Sequence, residues 1–494
     1  MPQSYILAID QGTTGSRAII YDRNGSIKAS SYQEFKQYFP QHGWVEHDAH
    51  EILRSVQDVI AGAIRSAGIS AKFIHAIGLT NQRETTILWN RKTGRAISRA
   101  IVWQDRRTHS ICQQLKKKNL EKTVHHKTGL VLDPYFSGTK LKWLFDRRPA
   151  DLKKARRGDV VFGTIDSWLL FHLTAGKSHA TDYTNASRTL IFNIKRKKWD
   201  LDLCQLLNVP KNCLPEAKPS NSLFGTTKNF LPLKNGIPIH AILGDQQAAL
   251  YGQSCYKAGE SKNTYGTGCF LLVNLGSRLI YSSAGLLTTL ACDQKGNPTY
   301  ALEGAIFIGG AAVQWLRDGL KLIKTAKESE KMALRAGDAG PLVVVPAFTG
   351  LGAPYWRSDV RGAIFGITRG TSREMIVKAT LDSIALQVSD VLNVVKQDSK
   401  IKIPSLKVDG GATRNKYLMQ LQANLLGTSV CRSSLSELTA WGAAKLAGYS
   451  SGFWKRLKSL DSGIHYDVFR PKMSSKERSH RHELWHQAIK KLIS

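Results

Sequence analysis

The feature that most constrains this chain is its beginning, Leu7-Ala-Ile-Asp10-Gln-Gly-Thr-Thr14-Gly-Ser-Arg17-Ala-Ile-Ile-Tyr-Asp22, two apolar runs around a turn of glycines, hydroxyls and one acid. That pattern predicts a strand, a tight turn and a returning strand. A triphosphate requires close backbone approach, hydrogen-bond donors and a carboxylate for its metal. Gly12 and Gly15 let the main chain come close. Thr13, Thr14 and Ser16 put hydroxyls beside consecutive amides that can form an anion-binding concavity, and Arg17 adds a permanent positive charge. Asp10, at the strand end, can hold magnesium through water. A Walker A loop differs, since it ends in Gly-Lys-Ser/Thr and runs into a helix. An ordinary tight hairpin fits the same residues, so this segment alone leaves a phosphate cradle and a plain turn side by side.

At 494 residues the chain exceeds what one core supports, and two domains are expected. Apolar content of 42% with 22% charged residues is that of a folded soluble protein rather than a disordered or membrane-spanning one. No apolar run reaches transmembrane length, and Met1-Pro-Gln-Ser4 passes directly into the first strand without room for a signal peptide. The expectation is a cytoplasmic protein without membrane insertion. Seven scattered cysteines, with no Cys-x-x-Cys pair, argue against a disulfide framework or zinc site. Cys269, with no adjacent base, reads as a buried thiol rather than a nucleophile.

The net charge of +32 raises a second class of function, a basic protein bound to nucleic acid or an anionic membrane surface. Its distribution speaks against that class. The basic clusters Lys116–Lys118, Lys153–Arg157, Lys195–Lys198 and the last forty residues are spread out, with no zinc-finger, helix-turn-helix or aromatic RNA-binding signal. No specific nucleic-acid partner is expected.

Along the chain, β-rich runs alternate with amphipathic stretches: Ile6–Ile9, Ala18–Tyr21, a helix around His50–Ser66, then Ile74–Thr80, the order of a layered α/β domain. The boundary is placed near Tyr251, giving domains 1–251 and 252–494. In the second, Asn263-Thr-Tyr-Gly-Thr-Gly268 followed by Cys269–Leu275 repeats the hydroxyl-glycine hairpin. Leu406–Ala412 reads as a strand ending in a glycine turn, Tyr417–Leu426 as a helix, and the stretch from Phe469 as a basic helical extension. Asp245 precedes an Ala/Leu-rich helix and fits a helix N-cap as well as a catalytic carboxylate.

Asp10-Gln-Gly-Thr-Thr14, Asn263–Gly268 and Val408-Asp-Gly-Gly-Ala412 together resemble the two phosphate elements and the adenosine element of the sugar-kinase, actin and heat-shock ATPase superfamily. Gly43-Trp-Val-Glu-His-Asp48, Thr80-Asn-Gln-Arg-Glu-Thr-Thr86, Asp133–Lys140, Thr181–Ser187, Gly244–Ala249 and Pro346–Trp356 narrow the resemblance to the FGGY carbohydrate kinases, in their glycerol-phosphorylating branch. The match runs from about Tyr5 to Phe469. It implies an α/β protein of two ribonuclease-H-like domains flanking a deep catalytic cleft, with ATP and Mg2+ as cofactors, glycerol as substrate and a homodimer or homotetramer as assembly.

By position, the resemblance makes Asp245 the acceptor of the attacking hydroxyl's proton. Arg83, Glu84, Tyr135 and Gln246 would hold glycerol oxygens, with Trp103 and Phe270 over its carbons. Thr13, Thr14, Gly15 and Arg17 match the first phosphate contact, Thr267 the second, and Gly310, Gln314, Gly411 and Asn415 the remaining nucleotide contacts. Asp10, with Asp245 through water, would serve the metal. Thr227–Gly236 lacks the glycine-rich loop and arginine by which some members bind fructose 1,6-bisphosphate, so that inhibition is not expected.

Overall fold

The computed structural model describes residues 4–337, 340–357 and 359–494. The chain forms two compact units: Met1–Tyr256, Thr288–Tyr300 and Glu437–Gly463 in unit 1, and Lys257–Leu287, Ala301–Ser436 and Ile464–Ser494 in unit 2. The chain first passes from unit 1 to unit 2 between Tyr256 and Lys257. Two later segments nevertheless return to unit 1, so neither unit is one continuous stretch. Glycine packing shows why the second returns. In helix Leu438–Ser450, a Cβ at Gly442 would overlap the Ala248 carbonyl, and one at Gly78 would overlap the Ala443 carbonyl. The helix lies directly on the unit 1 sheet, closer than any larger side chain permits.

The unit 1 sheet runs, edge to edge, Gly225–Thr226, Pro238–Gly244, Ile74–Asn81, Tyr5–Gln11, Gly15–Tyr21, Ile27–Glu34. The last three form an antiparallel meander, and Ile74–Asn81 and Pro238–Gly244 continue it in parallel. Ile6, Leu7, Ala8 and Ile9 are wholly buried, as a strand covered on both faces requires. Helix Ala49–Ala67 covers one face with Ile52, Val56, Val59, Ile60 and Ala63. Asp48 accepts from the amides of His50 and Glu51 at its start, and Gly68, at φ 64, ends it in the left-handed region.

Unit 2 repeats this order. Strand Pro298–Ile306, whose residues 301–306 belong here, is followed across the sheet by Cys269–Gly276, Ser261–Tyr265, Ser405–Asp409, Ser429–Ser433 and Tyr466–Phe469. Ser261–Tyr265 pairs antiparallel with Cys269–Gly276 and parallel with Ser405–Asp409. Helices Arg373–Ser399, Lys416–Leu426 and Ser475–Ile493 pack in this unit. The shared order, a meander extended by parallel strands, is the arrangement expected of two ribonuclease-H-like domains. It brings the carboxyl ends of parallel strands together in each unit, where ligands bind in open α/β sheets.

Candidate active site

In unit 1 the opening segment is the expected hairpin. Tyr5–Gln11 and Gly15–Tyr21 pair with Asp10 opposite Arg17, and the Gly12 amide donates to the Gly15 carbonyl at 2.9 Å. Thr13 and Thr14 form the turn, and Thr13 Oγ1 accepts from Trp103 Nε1 at 3.0 Å. Gly15 is needed for space, since a Cβ there would meet Tyr32 and the Gln33 carbonyl. Arg17 donates to Glu437 Oε1 at 2.8 Å. Burial and the Asp245 and Glu437 carboxylates push the Asp10 pKa up to about 7, against the lowering effect of Arg17.

The three parallel strand ends, in register at Gln11, Asn81 and Gly244, carry the polar residues assigned to the polyol. Arg83 is buried, with Nε 3.2 Å from Asp245 Oδ1 and 3.8 Å from Glu84 Oε1, and Nη1 donates to Gln247 Oε1 at 3.1 Å. Glu84 adopts φ 60, a left-handed conformation costly for a side-chain-bearing residue. Its carbonyl accepts from Ser137 Oγ at 2.9 Å, Thr86 Oγ1 at 3.1 Å and Lys140 Nζ at 3.4 Å, and its carboxylate accepts from Arg188 Nε at 2.6 Å. The Arg188 guanidinium lies 5.5 Å from the Tyr135 ring centroid, and Tyr135 meets Trp103 edge-on at 5.6 Å. Lys140 also donates to the Tyr135 carbonyl at 2.7 Å, and burial pulls its amine down to about 7.

Gly244, not Asp245, is the cap of helix Asp245–Gly252. Asp245 is the first helical residue; its Oδ1 accepts from the Gln246 amide at 2.7 Å while the carboxylate stays partly exposed. Arg83, Glu84, Trp103, Tyr135, Asp245 and Gln246 therefore share unit 1, whereas Phe270 sits in unit 2 on the returning strand, opposite Thr264.

The residues of unit 2 expected to contact a nucleotide lie at its hairpin turn and at the neighbouring strand end. The Gly266 amide donates to Gly268 O at 2.9 Å, the Gly309 and Ala311 amides donate to Thr267 O at 2.8 and 3.1 Å, and Gly310 N donates to Gly266 O at 2.8 Å. The turn is thereby tied to helix Gly310–Gln314, leaving Thr267 and Gln314 exposed. Gly411 follows the neighbouring strand end, where Asp409 pairs with Thr264. Gly410, at φ 94, passes so close to the Tyr265 carbonyl that only glycine fits. Asn415 caps helix Lys416–Leu426, accepting from Leu418 N at 2.9 Å and donating to Ser329 Oγ at 3.3 Å, so much of its hydrogen-bonding capacity serves the fold.

Two charged residues in unit 1 escape a reading of the sequence. Arg188 directly follows the Thr181–Ser187 motif, yet nothing in its neighbours announces a partner 104 residues away. Glu437, in the segment that returns to unit 1, carries no local signal for Arg17, 420 residues earlier.

Models of the FGGY family of carbohydrate kinases match residues 5–252 with the family's N-terminal domain and 261–451 with its C-terminal domain. Glycerol kinase of Bacillus licheniformis is 51% identical over 488 residues, 99% of this chain and 98% of the relative. Glycerol kinase of Caldanaerobacter subterraneus is 52% identical over 491 residues, covering 99% and 98%. Among solved structures, Plasmodium falciparum glycerol kinase with ADP superposes with a TM-score of 0.93 at 37% identity, covering 100% of this chain and 99% of that one. No helix among the described residues is long and apolar enough to cross a membrane.

Proposed function

Because the chain belongs to the FGGY family of carbohydrate kinases, we propose that it transfers the γ-phosphoryl group of ATP to glycerol, giving glycerol 3-phosphate and ADP. The observation that carries this reading is the cluster at the unit 1 strand ends, where a buried Arg83 stands between Glu84 and Asp245. A small triol needs paired donors and acceptors, and an analogue lacking a hydroxyl leaves such buried groups unsatisfied. The names of relatives at about 50% identity over nearly the whole chain agree with it.

Phosphoryl transfer asks the protein mainly for positioning and charge neutralisation. Arg83 and Glu84 hold glycerol hydroxyls, Tyr135 and Gln246 complete the polar set, and Trp103 with Phe270 covers the carbons. Asp245 orients the attacking hydroxyl and accepts its proton as the oxygen bonds to the γ-phosphorus and the bond to the ADP oxygen breaks. Thr13, Thr14, Gly15 and Arg17 take phosphate oxygens, as does Thr267, and Gly310, Gln314, Gly411 and Asn415 take the rest of the nucleotide. Asp10 suits magnesium held through water: burial first, and then the Asp245 and Glu437 carboxylates, raise its pKa to about 7, and a divalent cation would relieve the part owed to those carboxylates. Asp10 and Asp245 would hold magnesium through water, and the ion would supply charge neutralisation at the transferring group. The setting is cytoplasmic, where ATP and free thiols coexist, and the assembly a homodimer or homotetramer.

A coupled ADP-release assay over glycerol, dihydroxyacetone, xylulose and gluconate tests the reading. Clear preference for glycerol is expected; equal or better turnover of another substrate sinks it. The basic surface keeps a nucleic-acid role testable by salt-titrated binding, where no affinity near physiological salt is expected.

A further inference from the structure

Helix Ser475–Ile493 lies beyond the residues matched by either family model and packs in unit 2 on helix Arg373–Ser399. One buried carboxylate gathers three donors there. Asp390 Oδ2 accepts from Trp485 Nε1 at 2.6 Å and from the Tyr355 hydroxyl at 2.7 Å, and Oδ1 lies 2.8 Å from His486 Nε2. One helical turn before His486, His482 Nε2 lies 3.2 Å from Ser389 Oγ and 3.3 Å from the Leu425 carbonyl. His482 Nδ1 is buried without a hydrogen-bond partner. One ligating atom from each of Asp390, His482 and His486 lies within 4.8 Å of the others.

We propose that Asp390, His482 and His486 form a binding site for a zinc-class divalent transition ion, which pins the C-terminal helix to helix Arg373–Ser399. The i, i+4 spacing sets both imidazoles on one helix face. With Nε2–H engaged by the Leu425 carbonyl, the unpartnered Nδ1 of His482 keeps its lone pair for a metal. Tetrahedral zinc, with bonds of about 2.0–2.2 Å, spaces its ligand atoms ~3.3 Å apart, a small inward side-chain rotation from the arrangement seen. Trp485 and Tyr355 fix the carboxylate from behind, as outer-shell partners of metal ligands do. On binding, His486 gives its Nε2 lone pair to the ion as a neutral imidazole with its proton on Nδ1, and a proton leaves to solvent only where the ring starts as imidazolium.

Both histidines line a groove of about 800 Å³, which supplies access and room for a water ligand. Lys396, Arg478 and Lys490 line the same groove, against the single acid Glu483. That field opposes hard cations held by charge and oxygen alone, such as Mg2+ or Ca2+, and leaves ions whose affinity comes from imidazole. Cysteine spacing, the sequence's argument against zinc, does not bear on this donor set, whose aspartate stands 96 residues before His486.

The test uses the full chain stripped with a chelator. Zinc is titrated in competition with a chromogenic chelator, and Co2+ absorption reads the donor set. One equivalent bound with micromolar or tighter affinity is expected, with tetrahedral Co2+ bands and no thiolate charge transfer. His482→Gln and His486→Gln should each weaken binding at least ~10-fold, as should Tyr355→Phe to a smaller degree, while His109→Gln leaves it unchanged. Absence of stoichiometric binding overturns the proposal, as does binding that survives both histidine changes. Should either variant fail to fold by circular dichroism, the wild-type Co2+ spectrum decides: an octahedral or thiolate signature overturns the assignment.

Discussion

Unit 1 places Asp10 and Arg17 on either side of its hairpin turn and surrounds them with Asp245, Glu437 and Arg83. In unit 2 the equivalent hairpin has no Asp, Glu, Lys or Arg from Thr264 to Ser277, and its turn is held by backbone bonds to Gly309, Gly310 and Ala311. Strand order and hairpin are common to both, so the scaffold does not decide the chemistry. Charge placement does. The unit with paired acids and arginines can move a proton and grip hydroxyls, whereas the unit 2 turn offers amides and the Thr267 hydroxyl, with the Lys262 amine 3.0 Å from Thr264 Oγ1 behind it, donors that suit an anion.

The largest break in that comparison is Asp245→Asn. A general base contributes about 10²–10⁴-fold, so kcat should fall by that order while glycerol KM moves only a few-fold. Steady-state kinetics settles this; near-normal turnover would remove the proton-acceptor role from unit 1. Next is Arg188→Met, which leaves the Glu84 carboxylate buried without its 2.6 Å partner. Breaking a buried pair on one side costs about 3–5 kcal/mol, read as a lower Tm, and glycerol KM should rise while ATP KM stays near wild type. Arg188→Lys should restore part of both. Equal effects on the two KM values would mean that Arg188 supports the whole fold rather than the polyol set.

Asp10→Asn sharpens the electrostatic side. Folding raises the Asp10 pKa from 3.8 to about 7, so its contribution to stability is fully present below pH 3.8 and lost as pH rises through about 7. The amide lacks that loss. Relative to wild type, the variant's Tm should therefore climb between pH 4 and 7 and hold a constant advantage above, measured without magnesium. Added magnesium should stabilise wild type more than the variant at pH 8. A difference in Tm that is flat with pH would show that Asp10 ionises without strain.

The elements were legible where the sequence pattern is local. Helices Ala49–Ala67 and Lys416–Leu426 lie within a residue of their expected bounds, and both hairpins form where expected, although the first returning strand begins at Gly15 rather than Ala18 and residues 263–265 extend a strand rather than the turn; strand alternation, glycine turns and caps such as Asp48 and Asn415 act over a few residues. The clustering of Arg83, Glu84 and Asp245 came from resemblance, not periodicity; no local rule brings position 245 to position 83. The return of 288–300 and 437–463 to unit 1 was not legible, since it depends on Gly442 and Gly78 letting backbones touch far along the chain. Arg188 and Glu437 were missed for the same reason, their partners being fixed only by the folded sheet.

The smallest expected effect separates the two hairpins most finely. Thr267→Ala removes an exposed hydroxyl from a turn whose shape is set by its backbone, so it should cost about 0.5–1.5 kcal/mol, ~2–10-fold in ATP KM, and leave glycerol KM alone. Thr13→Ala is not its equivalent. Thr13 Oγ1 accepts from Trp103 Nε1 at 3.0 Å, and Trp103 meets Tyr135 edge-on, so the change deprives an indole within the polyol set of its acceptor. Both KM values should then rise, glycerol's through a reoriented Trp103. Parallel titrations of ATP and glycerol for the two variants read this directly. If Thr13→Ala moves ATP KM alone, the unit 1 turn serves the nucleotide only; if both values move, unit 1 joins nucleotide and polyol recognition through one tryptophan.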